Sequence, residues 1–202
     1  MSLTSQIRRL SPSENVAPAE RARIGGFAAY LVVLTLLFIQ PLWRLAAHAM
    51  ASDLHSHILL VPFIAAYLLY LRRGQAPAAQ ASSLAGTAVM GVAGAGVVAA
   101  WFGLRGSLSV NDGLALAALA FISLVVAGGF LFMGSAWMRA GTFPFAFLIF
   151  IVPLPDAGVD WLEKASMLAS AEAAAFYFGL AGTPHVRQGT VFELPNIVLQ
   201  VA

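Results

Sequence analysis

The side chains able to do chemistry fall into three groups. His48, Asp53, His55 and His57 form the first. A His-x-His pair such as His55 and His57 can chelate zinc from a strand or loop, but on a helix the two rings point about 200° apart and cannot share an ion. The plainer reading is a polar interfacial loop leading into a helix. No metal is expected, because matches this short carry a high false-positive risk. The second group is His185, Arg187 and Glu193. Arg187 suits an anionic headgroup or a substrate carboxylate, and the residues themselves choose neither. Glu193, on the polar face of a strand, has the ordinary reading of a solvated carboxylate. Glu172 stands alone as the third group. It is either a functional acid facing a protein-lined cavity or, as is commoner, a carboxylate reaching the headgroup layer.

Other chemistries lack their residues. There is no cysteine, which removes a thiol nucleophile, a Cys-ligated zinc and a disulfide from these residues. Ser52, Ser56, Ser107 and Ser109 have no base at a recognisable spacing. Gly91, Gly94 and Gly96 sit inside an apolar run and open no phosphate loop. A net charge of +2 is too small to argue for nucleic acid. No cofactor is expected.

The elements that must carry these groups are membrane helices. With 60% hydrophobic and only 10% charged residues, and a mean hydropathy of +0.84, the chain lies outside the range of soluble domains. Residues 1–23 are polar and read as a flexible cytoplasmic tail. Residues 24–155 predict an all-α transmembrane bundle of about five spans, at 24–43, 54–71, 84–104, 113–133 and 140–153. The first run is too long for a signal-peptide core and has no clear cleavage site after it. In the third, Thr87, Gly91, Ala95 and Ala99 recur every four residues and predict a close-packing stripe. Pro144, Pro153 and Pro155 make the ends of the fifth irregular.

Basic residues set the orientation. With the N-terminus in the cytoplasm, Arg8, Arg9, Arg21, Arg23, Arg72, Arg73 and Arg139 lie inside and Arg44, Arg105, Lys164 and Arg187 outside, seven against four. The histidines, Glu172 and Glu193 then fall outside. Residues 156–180 predict an interfacial amphipathic helix on that side. Asp156, Asp160, Glu163 and Lys164 share one face, with Val159, Leu162, Ala165, Ala169, Ala173 and Phe176 opposite. Residues 183–202 alone read as β, a hairpin turning at Pro195 and Asn196. Phe192, Leu194, Ile197, Leu199 and Val201 take one face; Val191, Glu193, Val198 and Gln200 take the other. Open strands cannot lie in lipid, so the hairpin is expected at the extracytoplasmic surface.

Three segments carry a further likeness. Asp53 with Ser56-His57 and then Leu59-Leu60-Val61-Pro62, ending at Arg72-Arg73, is similar to a pattern Asp…Ser-His-Gly-Phe-Leu-Val-Pro. Phe143-Pro144 through Pro153-Leu154-Pro155 matches Phe-Pro…Pro-x-Pro. The third and most specific is Thr183-Pro184-His185-Val186-Arg187-Gln188-Gly189, with Leu194-Pro195 and Leu199-Gln200-Val201-Ala202. Together they resemble the exosortase/archaeosortase family over roughly residues 44–202. Ile58 stands where that family usually has Gly, and His55 where it often has Tyr, so neither position receives a catalytic role.

The resemblance implies a multi-pass cysteine peptidase/transpeptidase of a bacterial or archaeal cytoplasmic membrane. Its implied partners are the lipid bilayer and membrane-anchored substrate proteins with a C-terminal sorting helix. Such a reaction needs a thiolate, a base or ion-pair partner to hold it, and an oxyanion donor. The family's Cys-Ser-Gly and its later Arg and His are expected after Ala202. The chain is therefore expected to be the N-terminal membrane part of such a protein, with no catalytic residue assigned. Asp53, Ser56, His57, Glu172, Arg187 and Glu193 are the substrate-entrance candidates. The alternative is a non-catalytic membrane binding or assembly element, a truncated or inactive copy. A small permease has less in its favour, since no paired broken helices, internal repeat or buried charge pair stands out.

Overall fold

A computed structural model describes residues 18–51, 57–72, 82–184, 186–194 and 197–200. The chain divides into two compact units, Met1–Pro153 and Leu154–Ala202. In the first, helices α1 (Pro18–Leu37), α2 (Ile39–Ala51), α3 (Val61–Arg72), α4 (Leu84–Leu104), α5 (Val110–Phe132), α6 (Gly134–Ala140) and α7 (Thr142–Phe147) are followed by a 3-10 turn, Leu148–Ile151.

Helix α5 is the centre of this unit. It starts where the Ser109 hydroxyl accepts the Asp112 N–H at 3.1 Å, three residues before the expected span. Ala115, Ala117, Ala118, Ala120 and Ala127 are all buried. Their positions run round the helix, so small side chains let neighbours approach from several sides. One apolar cluster joins α5 to α2, α3 and the 3-10 turn through Leu114, Ala118, Ile122, Leu45, Ala49, Val61 and Ile151. A second joins it to α1, α6 and α7 through Val125, Leu34, Met138 and Phe145.

Helix α4 packs on α5, but not along the expected stripe. Gly86 lies against the Phe130 ring and Gly94 against Leu124, while a side chain at Gly91 would meet nothing within 4 Å. The contact is rotated by one residue, about 100°. Bulky Phe130 and Leu124 select the glycines, which the spacing of small residues alone did not distinguish.

Two of the expected spans are broken. The run over 24–43 becomes α1 and α2, bent by 73°. Pro41 is the cause: it has no N–H to donate to Leu37, and its ring crowds that carbonyl. The run over 140–153 becomes part of a pair bent by 71°, α6 against α7 with its 3-10 turn. Pro144 likewise leaves the Ala140 carbonyl without its helical donor. The Arg72 guanidinium donates to that carbonyl instead, at 3.1 Å, and lies over the Phe143 ring. Paired broken helices are therefore present, contrary to the sequence expectation. No polar or charged side chain is buried among the described residues.

By length and composition α4 and α5 can cross a membrane, and the count rises to four if each bent pair is one span. The apolar helix His57–Arg72, expected as a further span, is shorter.

The second unit consists of α8 (Asp156–Leu180) and strands β1 (Val186–Gln188), β2 (Val191–Leu194) and β3 (Ile197–Gln200), an antiparallel sheet in the order β1-β2-β3. Gly182, at φ +62°, ends α8. Thr183 N–H donates to Phe178 O at 2.9 Å and Gly182 N–H to Gly179 O at 3.2 Å, a Schellman motif that turns the chain out of the helix. Gly189, at φ +64°, opens the two-residue turn between β1 and β2. A glycine at the first central position suits a type II′ turn.

Pairing of β2 with β3 sets Phe192 opposite Leu199, Leu194 opposite Ile197, Glu193 opposite Val198 and Val191 opposite Gln200. This is the register expected from the sequence. The sequence reading did not include β1, which makes the hairpin a three-stranded sheet. Pro195, Asn196 and Val201 lie outside the described residues.

Candidate functional site

The second unit brings two of the expected residues together. Arg187 sits in β1 opposite Phe192 of β2, so both side chains leave the same face of the sheet. Glu172 projects from α8, and Arg187 Nη2 donates to its Oε1 at 2.8 Å. Arg187 Nε donates to the Gly189 carbonyl at 2.8 Å, closing the guanidinium onto the turn. The cation also lies 5.8 Å from the centroid of the Phe192 ring. That ring is buried and meets Phe178 of α8 edge-on, at 5.4 Å between centroids.

The result is a junction of sheet and helix. Phe178 and Phe192 form its apolar part, and the guanidinium covers the ring while reaching the carboxylate. Glu172 is 72% exposed and Arg187 25%, so the pair is on the surface and its attraction is screened. The hydrogen bond from Arg187, then its charge, hold the Glu172 carboxyl below the usual carboxylate range. Its partner is an arginine of the same unit, a pairing that neither sequence reading of Glu172 included.

Glu193 does not join them. Adjacent residues of a strand point to opposite faces, so Glu193 lies across the sheet from Phe192 and Arg187, paired with Val186 and Val198, and it is exposed. Asp53, Ser56, His55 and His185 lie outside the described residues. His57 is exposed at the start of a 3-10 turn before α3, with its carbonyl accepting the Leu60 N–H at 3.0 Å. It belongs to the first unit. No group of histidines and carboxylates among the described residues has the geometry to hold a metal ion.

Phe178 and Phe192 were not singled out as site residues from the sequence. The signal was present in Gly189-Thr190, a two-residue turn type flanked by Val186-Arg187-Gln188 and Val191. Pairing the strands across it puts Arg187 beside Phe192.

Comparison with known proteins gives a family. The family model described as transmembrane exosortase (Exosortase_EpsH) matches residues 42–202, most of the chain. No curated protein and no solved structure matches it.

Proposed function

Because the chain belongs to the transmembrane exosortase family, whose members are cysteine transpeptidases, we propose that these residues supply its membrane bundle and its substrate-positioning surface. The substrates would be membrane-anchored proteins that carry a C-terminal sorting signal. The 202 residues contain no cysteine, so the sulfur that attacks the scissile carbonyl would not come from them. Their task is to hold the peptide so that the attack is geometrically possible.

One observation carries this reading: the junction of Glu172, Arg187 and Phe192 fixes the sheet on α8 while β3 keeps a free edge. Among the described residues β3 pairs with β2 alone, and its Ile197 and Val198 side chains are exposed. A strand edge offers unpaired N–H and C=O groups, to which an extended peptide can add as a further strand. The peptide that leads into a sorting helix would lie there, its backbone held in register and its side chains free to vary. Helix α8 supports the same placement at a membrane surface. It is not among the helices apolar enough to cross, and it exposes Trp161, Leu168, Phe176 and Tyr177.

A photo-crosslinking residue at Val198, in the full protein in its own membrane, tests the proposal. It should capture a membrane-anchored reporter that ends in a sorting helix, and lose it when that helix is replaced by a plain hydrophobic anchor. Equal capture of both reporters, or of neither, would refute the positioning role. The absence of cysteine from these residues favours a second reading, in which the surface holds the sorting signal without cleaving it. Capture without a shortened reporter would select that one.

A further inference from the structure

A cleft of about 220 Å³ opens where α4 ends and α5 begins. Arg44 of α2, Trp101 of α4, Arg105 and Ser109 of the connecting loop and Gly113 of α5 are among its lining residues, and none of the lining residues is acidic. Among the described residues neither Arg44 nor Arg105 has a carboxylate ion-pair partner. Asp112, in the first turn of α5, does not line the cleft. Two cations facing one space, without a carboxylate ion-pair partner among the described residues, repel each other, and an anion between them converts that repulsion into attraction.

Arg105 is already oriented. Its guanidinium carbon lies over Phe102 at 4.9 Å and over Trp101 at 5.6 Å from the ring centroids. Stacking occupies the flat faces of the group and leaves its N–H donors round the rim for an acceptor. Depth narrows the choice of anion. Helix α4 has 21 residues, about 31 Å in length, against a hydrocarbon core of about 30 Å. Arg105 directly follows it, so the cleft falls in the headgroup layer whichever end of α4 faces the cytoplasm. Trp101 is the residue type that sits at this level. The anion abundant there is phosphate, whose several oxygens can accept from two guanidiniums at once.

We propose that this cleft binds a phosphate-ester anion between Arg44 and Arg105, with a lipid headgroup as the source. The proposal concerns the first unit only and does not depend on the substrate role of the second. Native mass spectrometry of the full chain, released from nanodiscs, tests it with three probes: phosphatidylglycerol, diacylglycerol with the same tails, and inorganic phosphate. Phosphatidylglycerol should be retained in preference to diacylglycerol. R44Q and R105Q should each lower that retention about fivefold, and together about thirtyfold. R44K/R105K, which keeps the charge, should lose less. Both arginines are exposed, so the helical circular dichroism of the variants should not change. If the double glutamine variant does not fold, the two single variants decide the matter on their own.

Millimolar inorganic phosphate should leave the lipid bound. Displacement by it would support the phosphate chemistry and assign the site to a soluble phosphate. Equal retention of phosphatidylglycerol and diacylglycerol, or glutamine variants that hold the lipid as the native protein does, would overturn the proposal.

Discussion

Arg187 makes three contacts at once, to the Glu172 carboxylate, the Gly189 carbonyl and the Phe192 ring. Only a planar fork of donors can do this, because a lysine ammonium is a single point on a flexible stem. R187K should therefore keep the charge and lose the junction, with amide exchange in β1 faster by a factor of a few than in the native protein. Equal exchange would mean that the charge alone is enough. Glu172 adds a pH dependence. Its folded-state pKa is lowered, so its contribution is complete above the ordinary glutamate value of about 4.3. It is lost as pH falls below that value and through the depressed one. Protection of β1 should be flat near neutrality and decline in that acidic window. E172Q should show the weaker protection throughout and no decline of its own.

At the scale of elements, the bundle is fitted together by glycines that face large side chains. A Cβ at Gly128 would overlap the Tyr30 ring of α1. The ring is not free to retreat, since its hydroxyl donates to the Leu124 carbonyl at 2.9 Å. G128A should cost about 1–3 kcal/mol, the usual range for overpacking, and lower the unfolding temperature in detergent. Y30A/G128A should recover part of that loss if the clash is the cause. G91A is the control. With open space around it, the substitution should be neutral or slightly stabilising through helix propensity. The bend at Pro144 shows another rule of this bundle, that a carbonyl freed by proline can take a new donor. Arg72 supplies it at Ala140.

At the scale of the whole molecule, we propose that the sheet lies on the extracytoplasmic side of the membrane. With five crossings the seven-to-four split of basic residues supports that side for β3, and a single introduced thiol reads it directly because these residues contain no other. V198C, at an exposed position, should react with a membrane-impermeant maleimide in intact cells. Labelling only after lysis would reverse the orientation. The two broken helix pairs give the bundle a feature found in transporters. Among the described residues no ionisable side chain is buried.

Much of this was legible in the residues alone. Long uncharged runs specify membrane helices because lipid penalises any unpaired polar group, and α4 covers the apolar run 84–104, while the charged first half of α8 marks an amphipathic helix over 156–180. Alternation in 191–200 determined the register of β2 on β3, since a slip of one residue would turn every apolar side chain to the wrong face. The family likeness, too, was carried by short patterns in sequence. What only the tertiary structure decided is which distant groups meet. Glu172 and Arg187 are 15 residues apart and belonged to separate groups in the sequence. Their meeting depends on how a helix ends at Gly182 and how a turn at Gly189 folds β1 back on β2. The same holds for Arg44 and Arg105, which share a cleft because Pro41 bends one helix at the place where another ends. Periodicity describes one element at a time, whereas a site is made where several elements cross.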